Sequence, residues 1–380
     1  MDTECGAWVV AFLSLSERRR LRAVCRRWHF TCPWLQQPAD QSGGREAALQ
    51  PRKSPLNLSG RAFQHSWDSF FRREAALLLP LVLASLPDPN KKDTLELKRG
   101  LCLSTNTGVR PSFENDHARS GYIAAKMNRS GNLPNLLFTA ELAELRSELF
   151  RCGERTWNVA LYGGGPGFEA LGLAMLRKYL RADEDIAFQT TVFDNELGWQ
   201  AAVDGVQHTI HQLECPGIAC GFRTCDITLD VLDAVNNAVL EQLPTTQLFV
   251  FAFVCVENFC LLEDSQYCFL RSLFAAARVG SYFVFTDSTH RLWPAIYELA
   301  DAAAPNRFRV WTPFARRCHY ALVLKKVAVG EDATKHAFHT QAMDRLALFR
   351  RHHQLQLERS SKSGHPIELL PQAETKVASQ

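Results

Sequence analysis

Four glycines within five positions carry the sharpest chemical signal in the chain: Val159-Ala-Leu-Tyr-Gly163-Gly164-Gly165-Pro166-Gly167-Phe168-Glu169. The run leaves an apolar, strand-like stretch and opens a helix-like one. Glycine at such a place lets the backbone turn tightly and lets a ligand approach main-chain atoms. The helix start that follows offers free N–H groups to a carboxylate or phosphate. A phosphate-binding loop ends in Gly-Lys-Ser/Thr, and no lysine stands here. A dinucleotide loop needs a small third residue where helix packs on strand; counted from Gly163, that residue is Phe168. Other residue types could do chemistry too. Cys215, Cys220 and Cys225, each pair separated by four residues, could ligate zinc but lack a matching second half. Cys255 and Cys260 are potential nucleophiles, yet they lie in apolar stretches where a reduced thiol acts as a small hydrophobe. His290, in Asp287-Ser-Thr-His290, could serve as a base.

The remaining pattern, G-x-G-x-G with Pro166 before the last glycine, resembles the cofactor loop of class I S-adenosylmethionine-dependent methyltransferases. The resemblance spans roughly Trp157 to Lys326. It implies a cofactor lying against Tyr162, Gly163, Gly164, Gly165 and Gly167. It implies that a carboxylate after the second strand holds the ribose hydroxyls, which selects Asp194, with Asn195 and Glu196 beside it. It implies an adenine contact at Asp226, and residues near the transferred methyl at Glu257 and Asn258. The family usually places an acid two residues before the first glycine, where this chain has Leu161. The methionine amino group then calls for Glu169 or a residue of the preceding helices. For the two aspartates the competing use is as turn or cap residues. No metal is called for.

Positioning these residues requires a sheet. From Trp157 onward, apolar runs alternate with helix-like segments. The runs are Trp157–Tyr162, Phe188–Phe193, Ala219–Arg223, Leu248–Val254, Tyr282–Thr286, Phe308–Trp311 and Tyr320–Leu324. The helical stretches are Glu169–Leu180, Leu197–His211, Leu229–Gln242, Ser265–Ala277 and Trp293–Ala303. Continuous apolar runs such as Leu248–Val254 suit strands buried on both faces. The fold class is therefore α/β: a seven-stranded doubly wound, Rossmann-like sheet ending in an antiparallel pair. Before it, Phe63, Trp67, Phe70 and Phe71 form a helical core stripe. Pro80 interrupts the next apolar run. A weakly patterned stretch reaches Ser112, and Leu142, Leu145 and Leu149 mark a helix with Thr139 as its cap.

The amino-terminal segment Leu13-Ser-Leu-Ser-Glu, continued by Leu21-Arg-Ala-Val-Cys-Arg-Arg-Trp28, resembles the second half of an F-box without the Leu-Pro opening. Ser16 caps a helix whose Leu21, Val24, Cys25 and Trp28 share one face. That resemblance implies docking to the adaptor subunit of a cullin-type ubiquitin ligase. The chain thus divides into an F-box-like segment (8–36), a linker (37–60), a helical cap (61–150), a methyltransferase-like domain (151–327), and a polar helix with a disordered tail (328–380). Two function classes follow: a methyltransferase acting on RNA, protein or a small molecule, or a ligase receptor with a non-catalytic methyltransferase-like domain.

Composition sets the outer bounds. The 380 residues carry 46% hydrophobic and 22% charged side chains and a net charge of +3. That excludes a mostly disordered, collagenous or coiled-coil chain. Local basic clusters at Arg18–Arg27 and Arg345–His353 leave an RNA partner open. Twelve cysteines without a C-x-x-C pair suit a reducing compartment, cytoplasm or nucleus. The apolar run Ala75–Leu86 falls short of the ~20 residues of a membrane span, so no membrane partner is expected.

Overall fold

The computed structural model describes residues 60–363 except 108, 110–111, 151–154, 181–185, 214–216 and 316–318. The F-box-like segment, the linker and the last 17 residues lie outside the described residues. The helical elements before the sheet are α1 (Gly60–Val82), α2 (Lys91–Thr107), α3 (Asp116–Lys126), a 3₁₀ turn (Met127–Gly131), α4 (Asn132–Leu137) and α5 (Ala143–Leu149). The alternating region follows as β1 (Arg155–Tyr162), α6 (Phe168–Leu180), β2 (Ile186–Asp194), α7 (Gln200–Gln212), β3 (Ile218–Thr224), α8 (Asn237–Gln242) and β4 (Leu248–Ala252). It continues with α9 (Phe259–Asp264), α10 (Cys268–Ala276), β5 (Tyr282–Thr286), α11 (Trp293–Ala303), β6 (Phe308–Trp311) and β7 (Leu322–Lys326). The last helix is α12 (His339–Ser363).

The seven strands form one sheet in the order β3-β2-β1-β4-β5-β7-β6. All neighbours are parallel except β7, which runs antiparallel to both β5 and β6. This is a doubly wound, Rossmann-like sheet, and the order reverses between β1 and β4. A ligand crevice is expected outside the strand C-termini at that switch point.

Strand alternation divides the core in two. Val159 and Leu161 face one layer together with Val192, Val250 and Val284. Ala160 and Tyr162 face the other with Phe249, Phe251, Phe283 and Phe285. In that second layer Phe249 stacks on Phe283 at 4.8 Å and Phe251 on Phe285 at 4.7 Å, each across its paired register. The first layer is closed by α1 and α4 to α7. The stripe of α1 is core, with Phe63 and Trp67 fully buried and packed against Tyr179 of α6. α12 closes the second layer with Ala342, Leu346 and Phe349. Lys325 of β7 bridges Glu144 and Glu148 of α5, tying the cap to the antiparallel edge.

Several local expectations change. α1 continues through Pro80 to Val82, because a proline in the last turn deprives only the Ala76 carbonyl of its donor. The weakly patterned stretch before Ser112 holds α2. Thr139 caps nothing: its hydroxyl donates to the Leu136 carbonyl, and α5 starts after Leu142 without a side-chain cap. Leu229–Gln242 is helical only from Ala234 onward. Asp226, Asp230 and Asp233 accept the N–H groups of Thr228, Leu232 and Val235, and Asn236 donates to the carbonyls of Asp226 and Asp230. Side chains that bond the backbone locally compete with a helix, and here they win. The expected helix Ser265–Ala277 starts only at Cys268, as α10, because Gln266 and Tyr267 are left-handed and separate it from the unexpected α9. β7 begins at Leu322 because Tyr320 pairs instead with Phe314 in a two-residue ladder. No helix among the described residues is long and apolar enough to cross a membrane.

Candidate functional site

At the switch point the C-terminal ends of β1, β2, β3 and β4 open into a cleft of about 280 Å³. The glycine turn forms its floor. The Gly163 N–H donates to the Phe193 carbonyl at 2.8 Å, and Gly167 N–H to the Gly164 carbonyl at 2.9 Å. Gly163 adopts φ +57°, a region that a side chain reaches only under strain. A Cβ there would also lie 2.2 Å from Cγ2 of Val254, so the turn is closed against the loop after β4. Gly167, at φ +79°, has the backside role: a Cβ would meet Val192 of β2 at 3.3 Å, and the residue brings α6 onto the sheet. This is the small packing position that Phe168 could not fill.

Asp194 holds the turn from the side. Its Oδ2 accepts the Gly165 N–H at 3.0 Å and its Oδ1 accepts the Glu196 N–H at 3.1 Å. Burial pushes its carboxyl up to about 6, against the lowering pull of those N–H groups. Carboxylate oxygens have further lone pairs, so Asp194 can hold the turn and still accept from a ligand hydroxyl. Asp226 lines the cleft, and its Oδ1 accepts both the N–H and the hydroxyl of Thr228. It is therefore a turn residue as well as a wall residue. Asn195 lines the cleft beside it.

The upper wall comes from the cap and from the loop after β4. Phe253 stands at φ +62°, with its N–H donated to the Thr286 carbonyl at 2.7 Å. This ends β4 two residues earlier than its apolar run. A bulky residue in that conformation is strained and persists only when its surroundings hold it. Two contacts do so. The Arg129 guanidinium lies 3.8 Å from the Phe253 ring centroid. Buried Asp287, at the end of β5, accepts the Val256 N–H at 2.9 Å and the Ser288 N–H at 2.7 Å. Glu257 and Asn258 follow in the same loop and line the cleft; the Asn258 side chain donates to the Val254 carbonyl at 3.0 Å.

Arg129 sits among carboxylates. It donates to the Tyr122 hydroxyl at 2.7 Å. Burial would lower its pKa, but Tyr122, Glu257, Asp287 and Glu169 together hold it above the ordinary value. Burial pushes Glu169 up to about 7, with Arg129 pulling the other way. Glu257 is likewise pushed up to about 7 by burial, with Arg129 as the largest opposing charge. Arg119 donates to the Phe113 carbonyl and Asp116, which fixes the segment Ser112–Glu114 as the outer wall. Phe113 meets Trp199 at 5.0 Å and Tyr122 at 5.7 Å.

The structure thus gathers Gly163, Gly164, Gly165, Glu169, Asp194, Asn195, Asp226, Glu257 and Asn258 around one cleft. It places Tyr162 elsewhere. As an even-numbered residue of β1, Tyr162 points into the second core layer, 4.8 Å from Phe251 and 5.2 Å from Phe193, and it does not line the cleft. Gly167 stays behind the turn for the packing reason above. His290 is buried against Phe349 at 4.0 Å, away from the cleft lining. Cys255 is buried with its thiol pushed well up, and burial pushes Cys220 up to about 12. Cys215 lies outside the described residues. Arg129, Tyr122, Phe113 and Phe253 escaped the sequence reading. Nothing local in the sequence distinguishes Arg129 from its neighbours.

No protein-family model matches the sequence, and no curated relative matches it. Solved structures do. An O-methyltransferase family protein from Burkholderia thailandensis is 15% identical over 57% of this chain and 62% of that chain, with a TM-score of 0.34. A class I S-adenosylmethionine-dependent methyltransferase described as putative, from Listeria monocytogenes, is 11% identical over 69% and 91%, with a TM-score of 0.36. The methyltransferase domain of the citrinin polyketide synthase is 11% identical over 70% and 69%, also at 0.36. The fold assignment rests on the strand order and the antiparallel β7.

Proposed function

We propose that the cleft binds S-adenosylmethionine and that the protein is a methyltransferase. The observation that carries this reading is the glycine turn Gly163–Gly167 anchored on Asp194 at the switch point of the sheet. The residues present fit such a ligand. The turn leaves space where a side chain would stand, Asp194 can accept from the two ribose hydroxyls, and Asp226 can accept from an adenine amino group. Glu169 supplies a carboxylate for the methionine amino group in place of the acid absent at Leu161. Arg129 supplies the cation for the methionine carboxylate. When bound, the cofactor would supply an electrophilic methyl on a sulfonium. The chain itself contributes alignment, through Phe253, Glu257 and Asn258 above the turn, and exclusion of water by Phe113 and Trp199.

Calorimetric titration of the full chain with S-adenosylmethionine tests this. Saturable binding is expected, and a folded sample that takes up no cofactor at millimolar concentration overturns the reading. Asp194→Ala removes charge-assisted contacts of roughly 1.5–3 kcal/mol each. The affinity should fall about 10- to 150-fold. Unchanged affinity would reassign the ribose partner.

A further inference from the structure

The cleft is lined by six carboxylates, Glu114, Glu169, Asp194, Glu196, Asp226 and Glu257, and by one cationic side chain among the described residues, Arg129. The resulting formal charge is far from what a nucleic-acid surface requires, where phosphate affinity comes from multiple Lys and Arg contacts. Arg129 is also shared among several protein groups. It donates to Tyr122, lies on Phe253, and faces Glu169, Glu257 and Asp287. S-adenosylmethionine carries two positive groups and one carboxylate, so its binding offsets one unit of this negative charge. Arg119 faces Glu196 and Lys126 faces Glu257 from outside the lining, and the lining itself keeps an excess of acidic over basic side chains.

Those carboxylates do not all have equal work. Asp194, Glu196 and Asp226 accept backbone N–H groups of their own turns. Glu169 sits at the start of α6, beneath the glycine turn. Glu257 is different. It projects from the loop after β4, beside the strained Phe253 and across from the cap. The charges that face it are Arg129 and Lys126 from the cap, Asp287 from the end of β5, and Asp194 from the end of β2. The loop that carries it is pinned by Asp287 through the Val256 N–H, so its position is fixed.

We propose that the methyl acceptor is a nitrogen base delivered as a cation, an amine or imidazole of a small molecule or peptide, and that Glu257 receives it and takes its proton. The inference rests on the cofactor reading above. The balance is simple. The acceptor ammonium or imidazolium gives its proton to the Glu257 carboxylate, and the freed nitrogen lone pair forms the N–CH₃ bond. The S–CH₃ bond breaks, and its electron pair stays on sulfur. A carboxyl that burial pushes up to about 7 suits this exchange, because it is basic enough to accept the proton near neutral pH.

The experiment has two readouts on the full chain. In the first, methyl-labelled S-adenosylmethionine is incubated with cell extract and the products are divided by nuclease, protease and cation exchange. Label is expected in material that resists nuclease and mild base and is retained on the cation exchanger. Release by protease assigns the nitrogen to a peptide, and retention of free label-bearing cations assigns it to a small molecule. Glu257→Gln should slow transfer about 10²- to 10⁴-fold while cofactor affinity stays within about threefold. Nuclease-sensitive label, base-labile methyl ester, or wild-type transfer by Glu257→Gln overturns the proposal while leaving the cofactor reading intact. Loss of cofactor binding in the unmutated chain overturns the cofactor reading instead. The second readout needs no turnover: the protein saturated with S-adenosylhomocysteine is titrated with imidazole, putrescine and inorganic phosphate. At least tenfold preference for the cations, lost in Glu257→Gln, is expected; tighter binding of phosphate overturns the proposal.

Discussion

The two loops that close the cleft reach the same end by opposite means. The turn after β1 takes its left-handed backbone from glycine, at Gly163, Gly165 and Gly167. The turn after β4 places a phenylalanine, Phe253, in the same region at φ +62°. The first conformation is free of side-chain strain, so the loop can be open and approachable. The second stores strain and must be held by its neighbours, here Asp287 from β5 and Arg129 from the cap. The backbone freedom of the floor is a local device of glycine, anchored on the end of β2, whereas the reactive wall holds its conformation only through elements distant in sequence.

The largest effect should come from breaking the local device. Gly163→Ala would set a Cβ 2.2 Å from Val254 at a positive φ. A stability loss of roughly 1–3 kcal/mol from the backbone and a similar one from overpacking are expected in urea titration, with cofactor affinity reduced more than about 100-fold. Val254→Ala in the same chain should restore part of the packing loss and none of the backbone loss. Next comes the distant device. Asp287→Ala leaves the buried Val256 N–H without its acceptor and should cost roughly 1–3 kcal/mol. Asp287→Asn, which retains one acceptor oxygen, should recover part of it.

A smaller effect is expected with pH. Glu169 in the first loop and Glu257 in the second are both pushed up to about 7 by burial. The folded chain therefore binds more protons than the unfolded one between the ordinary glutamate value and about 7. Their contribution to stability is fully present below that ordinary value and is lost as pH rises through about 7. The ligand-free melting temperature should fall from pH 5 to pH 8, and Glu169→Gln and Glu257→Gln should each flatten the slope. A slope untouched by both substitutions would place the titration elsewhere. The smallest effect is expected for Phe253→Gly. Relief of the strained φ, roughly 1–3 kcal/mol, opposes the loss of the Arg129 contact, about 0.5–2 kcal/mol, and of glycine's own entropy. Net stability within about 1 kcal/mol in urea titration is expected, and a loss above 3 kcal/mol would mean that Phe253 is unstrained.

How much was legible follows from how local each cause is. The strands Tyr282–Thr286 and Phe308–Trp311 and the helix Trp293–Ala303 stand where the apolar pattern put them, because each is a continuous buried run or an uninterrupted helical stripe. The segment after β3 misled, since its aspartates and Asn236 bond the backbone in turns and hydropathy does not register that competition. Among the site residues, the glycines, Asp194 and Asp226 follow from the resemblance of the loop, and the structure places Gly163, Gly164, Gly165 and both aspartates along the cleft. Tyr162 was misplaced by one step of alternation, which carries a strand side chain to the opposite face.

The alternating order of strands and helices and the glycine turn are already set in the amino-acid sequence, since periodicity and backbone freedom act within a few residues, whereas Asp194 is reached there only through the resemblance of the loop. The packing of distant elements is what lays Arg129 over Phe253, lets Asp287 fix the loop of Glu257, and brings six carboxylates to one cleft with a single cation among the described residues. The Arg129–Phe253 contact joins residues 124 positions apart and the Asp287–Val256 bond residues 31 apart. They exist because a doubly wound sheet brings its strand ends to one edge, where burial raises the carboxyl pKa values on which the proposed chemistry depends.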